Sequence, residues 1–176
     1  MDLDREAMLM LEERGAVLAT AVRVSRILAE AGVDAAVIGG IAVVLHGHLR
    51  TTRDVDLLVR GDLSTCKSVL QSVGLVYDAP NRQFLCDGVP VHMVSEDLVQ
   101  PPPGPFTTVR GIITLTLADL ISVKLHSGVS NLVRAQDIAD VIGLIRARKL
   151  GASFARKLNR NLRGEFRKLV EAVRRG

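Results

Sequence analysis

Residues 38–59 read IGGIAVVLHGHLRTTRDVDLLV: a glycine pair, a short apolar run, a polar loop, and two aspartates heading a second apolar run. Strand side chains alternate faces, so on a strand over 54–59 Asp54 and Asp56 point one way and Val55 and Leu57 the other. Two carboxylates held side by side repel, and partial burial would drive one of them to hold a proton. A divalent cation removes the conflict, and Mg²⁺ is typically held by one or two carboxylates together with substrate phosphates. Alone, the Asp-x-Asp pattern also fits an edge strand with one loop acid and one solvent-facing acid. Gly39 and Gly40 follow a short buried strand, Ala35–Ile38, and precede a short helix, Ile41–Leu45. Such a turn exposes N–H groups at the helix start and lets a backbone approach an anion closely. A plain tight turn fits the glycines equally well. Together, a phosphate cradle and a carboxylate pair on adjacent strands describe binding of a nucleoside triphosphate with Mg²⁺.

Outward from this stretch, residues 5–31 have helical composition, with Gly15 a possible break and Gly32 a stop. Leu63–Val73 reads as a helix capped by Asp62 or Ser64. Gln83–Cys86 and Val89–Val94 flank Asp87-Gly88, a strong two-residue hairpin turn. The prolines of 101–105 form a rigid connection. Gly111–Leu115 reads as a strand, and Thr116 caps a helix over Leu117–His126. Two further helices follow, about Leu132–Lys149 and Ser153–Arg174, the last broken at Gly164. This order predicts an α/β (α+β) fold: a short mixed sheet flanked by helices, with a C-terminal helical part. The division expected is 1–115 for the core and 116–176 for the helical region, packed as one domain.

The composition bounds the function. The chain has 176 residues, 48% of them hydrophobic and only 3% aromatic, so a core of Val, Leu, Ile and Ala is expected. No apolar stretch approaches the roughly 18 residues of a membrane span. The acidic, amphipathic start lacks the features of a signal peptide. Cys66 and Cys86 have no metal-ligand spacing and read as buried or free thiols. A cytoplasmic protein with no membrane partner is expected. Charge is uneven: residues 146–176 hold eleven Lys/Arg against two Glu, and residues 1–145 hold twelve against seventeen Asp/Glu. An acidic body with a basic tail suggests a polyanionic partner.

The stretch GGIAVVLHGHLRTTRDVDLLV resembles the signature of the DNA polymerase β superfamily of nucleotidyltransferases. Its Gly-Gly-x-Ala, His-Gly and Arg-x-Thr-x-Asp-x-Asp spacing is similar to that of small nucleotidyltransferases related to bacterial abortive-infection toxins. LTLADLISVKLHSGVSNLVRAQDIADVIGL, residues 115–144, resembles their helical motif, a Lys followed by Arg-x-x-Asp. The resemblance spans roughly residues 33–145. It implies a nucleotidyltransferase fold, with Gly39 and Gly40 on the triphosphate and Asp54 and Asp56 as Mg²⁺ (or Mn²⁺) ligands. It implies Lys124 on the nucleotide phosphates, Asp137 with Arg134 orienting Lys124 or substrate, and Arg50 and Thr52 in the nucleotide-binding loop. It also implies an antitoxin protein as a partner. On the residues alone, Lys124 also fits a snorkelling lysine on an apolar helix, and Arg134–Asp137 an ordinary ion pair.

One position departs from the resemblance. Relatives that use two metal ions carry a third acid on the strand beside Asp-x-Asp. In GVPVHMV, residues 88–94, that position is His92. Imidazole ligates metals but suits Mn²⁺ or Zn²⁺ better than Mg²⁺. His92 therefore stands as a third catalytic and metal residue, as the mark of a slow one-metal enzyme, or as the mark of a silent nucleotide- or partner-binding module. The expected activity is transfer of a nucleoside monophosphate from NTP to a hydroxyl on RNA, protein or a small molecule. The basic C-terminal helix is expected to pack its apolar side on the core and to present its basic side either to an RNA acceptor such as tRNA or simply to solvent.

Overall fold

The computed structural model describes residues 15–176; the predicted helical residues 5–14 lie outside that range. Helix α1 (Ala16–Glu30) begins at Gly15, which serves as its N-cap. It leads into β1 (Ala35–Ile38), α2 (Gly39–Leu45), β2 (Val55–Val59) and α3 (Leu63–Ser72). Then come β3 (Val76–Asp78), β4 (Gln83–Cys86), β5 (Val89–Ser95), β6 (Thr107–Val109) and β7 (Ile112–Thr114). Helices α4 (Leu117–Ser130), α5 (Ala135–Ala147) and α6 (Arg163–Arg175) complete the chain. The strands form one seven-stranded mixed sheet in the order β3-β4-β5-β2-β1-β7-β6. At its centre β2 runs antiparallel to β1 and parallel to β5, while β1 runs parallel to β7.

Local chemistry accounts for the turns. Asp87 and Gly88 both have positive φ, as the expected hairpin turn between β4 and β5 requires. Asp62 caps α3 by accepting from the Ser64 N–H at 2.9 Å, and Thr116 caps α4 by accepting from the Asp119 N–H at 3.1 Å.

Strand alternation divides the core in two. Val55, Leu57 and Val59 join Val37, Phe84 and Val91 under α1 and α3. Leu58, on the opposite face, packs with Leu120, Ile121 and Leu125 of α4, Val141 and Leu144 of α5, and Phe166 of α6. Asp56 shares the parity of Leu58, so it faces the helical C-terminal part.

Several boundaries differ from expectation. Asp54 lies just before β2 rather than on it. Helix α4 runs four residues past His126. The expected Leu132–Lys149 helix is a 3₁₀ turn, Leu132–Arg134, followed by α5, because the Asn131 side chain caps the Val133 N–H at 3.0 Å and restarts the chain. The tail is not one helix broken at Gly164. It is two 3₁₀ turns, Ala152–Lys157 and Arg160–Leu162, and then α6, in which Gly164 sits inside the first turn. Strands β3 and β6 were not expected. No helix among the described residues is long and apolar enough to cross a membrane. Cys66 and Cys86 are buried free thiols, and burial pushes the Cys66 thiol up to about 11.

Candidate active site

The β1–α2 turn and the head of β2 meet through cross-strand pairing of Ile38 with Asp56. Gly39 has φ +66°, and a Cβ there would lie 2.1 Å from Asp56 Oδ2. Both the backbone conformation and the close approach demand glycine. A Cβ on Gly40 would lie 2.6 Å from Thr52 Oγ1. The glycine pair thus makes room for the side chains of the Asp-x-Asp segment, a job beyond that of a phosphate cradle or a tight turn. The Thr52 hydroxyl donates to Asp54 Oδ1 at 3.0 Å, so Thr52 holds the first aspartate in place.

Asp54, Asp56 and His92 each bring one ligand atom within 4.8 Å of the others. His92 lies opposite Asp56 in the parallel β2–β5 register. Its Nδ1 is 3.4 Å from Asp56 Oδ1 and 3.5 Å from Asp54 Oδ2. Burial pushes the Asp56 carboxyl above the ordinary carboxylate range, and the Asp54 charge pushes the same way; His92 and Lys124 pull against them. Two oxygens and one nitrogen converging here fit a divalent cation, since a cation offsets the repulsion that raises Asp56.

On the facing helices, Lys124 is 6% exposed, so it is not a snorkelling lysine. Its Nζ donates to Asp137 Oδ1 at 2.8 Å and lies 2.7 Å from Asp140 Oδ2. Those acids sit at i and i+3 on α5 and share the face that meets α4. Burial alone would raise the Asp137 carboxyl, but the Lys124 ammonium, the Ser127 hydroxyl and Arg134 together bring it below its ordinary value. Arg134 Nε reaches Asp137 Oδ2 at 3.0 Å. Arg50 Nη1 donates to the fully buried Asp140 at 2.9 Å. The arginine expected near phosphate is therefore tied to the lysine's own support.

A cleft of about 490 Å³ opens between these layers. Ile38, Val94, Leu98, Val99 and Leu115 form apolar walls, and Gly39, Asp56, Lys124, His126, Ser127, Arg134 and Asp137 add the polar groups. Its size falls within the roughly 300–1,000 Å³ of small-molecule sites. Asp54, His92, Gly40, Arg50 and Thr52 do not line it. Of the residues singled out in the sequence, the fold brings Gly39, Asp56, Lys124, Arg134 and Asp137 to one cavity, with Asp54 and His92 joined to it through Asp56. Gln83 and Ser127 are partners of the site that the sequence does not single out, whereas Asp140, three residues after Asp137, stands on the helix face that its spacing predicts. The Asp87-Gly88 turn carries a signal for Gln83, because the hairpin register it sets places Gln83 near His92.

No protein-family model matches the chain, and no curated protein matches it. Solved structures do. The chain is similar to an antigenic nucleotidyltransferase-like protein from Paracoccidioides brasiliensis at 18% identity and a TM-score of 0.52, covering 73% of this chain and 74% of that one. It is also similar to ANT(2″)-Ia, solved in complex with adenylyl-2″-tobramycin, at 15% identity and a TM-score of 0.55, covering 86% and 95%. These likenesses establish a nucleotidyltransferase fold.

Proposed function

We propose that the chain is a metal-dependent nucleotidyltransferase that moves a nucleoside monophosphate from NTP to a hydroxyl acceptor. The observation that carries this reading is the convergence of Asp54, Asp56 and His92 beside a cleft that also presents Gly39 and Lys124. In the transfer, the acceptor oxygen attacks the α-phosphorus, the bond from that phosphorus to the bridging oxygen breaks, and pyrophosphate leaves with its electrons. The hydroxyl proton passes to water or a nearby base. A divalent cation on Asp54, Asp56 and His92 would neutralise the charge that builds on the phosphate oxygens.

The chain's own groups position the reactants. Lys124 directs two of its three N–H bonds to Asp137 and Asp140 and keeps one for a phosphate oxygen in the cleft. Arg134, 61% exposed at its side chain, adds a second cation at the mouth. Gly39 and Gly40 offer backbone N–H groups to the triphosphate, while Thr52 and Arg50 act one step back, through Asp54 and Asp140. That ANT(2″)-Ia was solved with adenylyl-2″-tobramycin supports the reading of a nucleotidyl group joined to an acceptor.

The test is transfer from α-labelled NTP with Mg²⁺ or Mn²⁺ to RNA, protein and small-hydroxyl acceptors. Asp54→Asn and Asp56→Asn should each lower the rate by on the order of 10²–10³, the scale of losing one preorganised stabiliser of developing charge. Equal rates in wild type and both variants overturn the proposal. His92 in place of an acid favours a second reading, a silent nucleotide-binding module. Calorimetry would then show NTP binding without turnover under every metal. A toxin role with a cognate antitoxin is carried by the motif resemblance alone.

A further inference from the structure

Four side chains form a row across the sheet, one per strand. Asp78 on β3 lies opposite Gln83 on β4, and His92 on β5 lies opposite Asp56 on β2. Gln83 Oε1 and His92 Nε2, 3.0 Å apart, join the two halves. We propose that Gln83, anchored by Asp78, is a positioning residue that presents His92 Nδ1 to Asp54 and Asp56, and that the resulting site takes Mn²⁺ in preference to Mg²⁺. This rests on the metal-dependent reading above.

The direction of each hydrogen bond follows from what each group can do. A carboxylate only accepts. Asp78 accepts from the Asn81 side-chain amide at 2.7 Å and from Gln83 Nε2 at 3.3 Å. The Asn81 hydrogen bond also holds the Asp78 carboxyl below its ordinary value, so it stays ionised and acceptor-only. With its nitrogen turned to Asp78, Gln83 turns its carbonyl oxygen to His92. A carbonyl oxygen also only accepts, so His92 Nε2 carries the hydrogen. The neutral ring then has its lone pair on Nδ1, the atom 3.4 Å from Asp56 and 3.5 Å from Asp54.

Ligating imidazoles are commonly fixed in this way, by donating the far N–H to an oxygen acceptor. The donor set becomes two carboxylate oxygens and one imidazole nitrogen. Mg²⁺ favours an all-oxygen octahedron, whereas Mn²⁺ accepts carboxylate and stands above the alkaline-earth ions in tolerance of nitrogen. The departure at position 92 is therefore a built feature, supported from two strands away.

The experiment is Mn²⁺ and Mg²⁺ titration of the full chain, with pulsed EPR of bound Mn²⁺ reading nitrogen in its coordination sphere. Wild type should show ¹⁴N modulation. His92→Asp should lose it and shift preference toward Mg²⁺. Gln83→Leu should weaken the modulation and lower the Mn²⁺-to-Mg²⁺ affinity ratio by roughly tenfold or more. The double variant Asp78→Asn/Gln83→Glu reverses the hydrogen bond between positions 78 and 83 but keeps an anchored oxygen acceptor for His92 Nε2, and should retain both readouts. Mn²⁺ bound without nitrogen modulation, or Gln83→Leu indistinguishable from wild type, overturns this inference and leaves the metal-dependent reading standing. Wild type that binds Mg²⁺ but not Mn²⁺ overturns this inference alone, and wild type that binds neither cation overturns both.

Discussion

Asp56 is tolerated at the head of a buried strand because its surroundings are cleared for it. Gly39 has no side chain to meet it, and Lys124 supplies positive charge from the facing helix. His46 shows the opposite arrangement. It is buried at the end of α2, its Nε2 lies 2.8 Å from the Leu115 carbonyl oxygen, and desolvation lowers its pKa from 6.5, with Arg148 adding to the effect against that carbonyl. The folded state therefore holds His46 neutral where the unfolded chain would bind a proton. Its contribution is complete above about pH 6.5 and is lost as the pH falls from there through the folded-state value. Thermal melts should show stability rising with pH across that window, and His46→Gln, which keeps a donor for Leu115, should flatten the slope. A slope unchanged by the substitution would rule His46 out as its source. At this scale the sequence points to Gly39, Asp54 and Asp56 through their spacing, and to Lys124 and Asp137 only through the motif resemblance. The motif resemblance singles out Thr52 for the nucleotide, but spacing is silent on its hydrogen bond to Asp54, which makes it a brace. Gln83 is within reach of the Asp87-Gly88 register, but only once His92 is asked what it pairs with.

Among the elements, the long periodic helices, the hairpin and the short strand β7 are legible, and the three-residue strands β3 and β6 are not. Val76–Asp78 and Thr107–Val109 are too short to display a period of two, and each exists because a neighbouring strand offers it a ladder. The tail is legible as a basic amphipathic segment whose apolar side packs on the core, but not as two 3₁₀ turns and a helix. Phe166 is fully buried, beside Leu120, Leu125 and Leu144, the same layer that carries Lys124. Phe166→Ala should therefore cost about 3–5 kcal/mol, the usual range for a core phenylalanine. For a chain of this size that is a fall in Tm of roughly 6–20 °C. A melt within a degree or two of wild type would show that the tail contributes nothing to the core. Truncation after Leu150 would for the same reason remove packing together with charge, so it cannot isolate the charge.

For the whole molecule, the charge asymmetry is better tested on the surface. Lys168 and Arg175 are paired with Glu165 and Glu171, and Arg163 binds backbone carbonyl oxygens of Leu158 and Arg156. Arg156, Lys157, Arg160 and Arg167 are exposed. Changing these four to Glu should weaken RNA binding at low salt and reduce the slope of log affinity against log salt by about 0.7 for each phosphate that is no longer neutralised. An unchanged slope would make the basic face a solvated one. The sheet order has its own consequence. Central strand β1 is flanked by β2, which follows it closely, and by β7, whose Thr114 pairs with Val37 and donates its hydroxyl hydrogen to the Val37 carbonyl oxygen. Seventy-seven residues separate those two partners. While a ribosome is still making that intervening segment, β1 stands as an open edge of Ala, Val and Ile with unpaired amides, the kind of surface that recruits other strands. Until residues 112–114 are made, that edge of β1 is open to mispairing, and their arrival covers it.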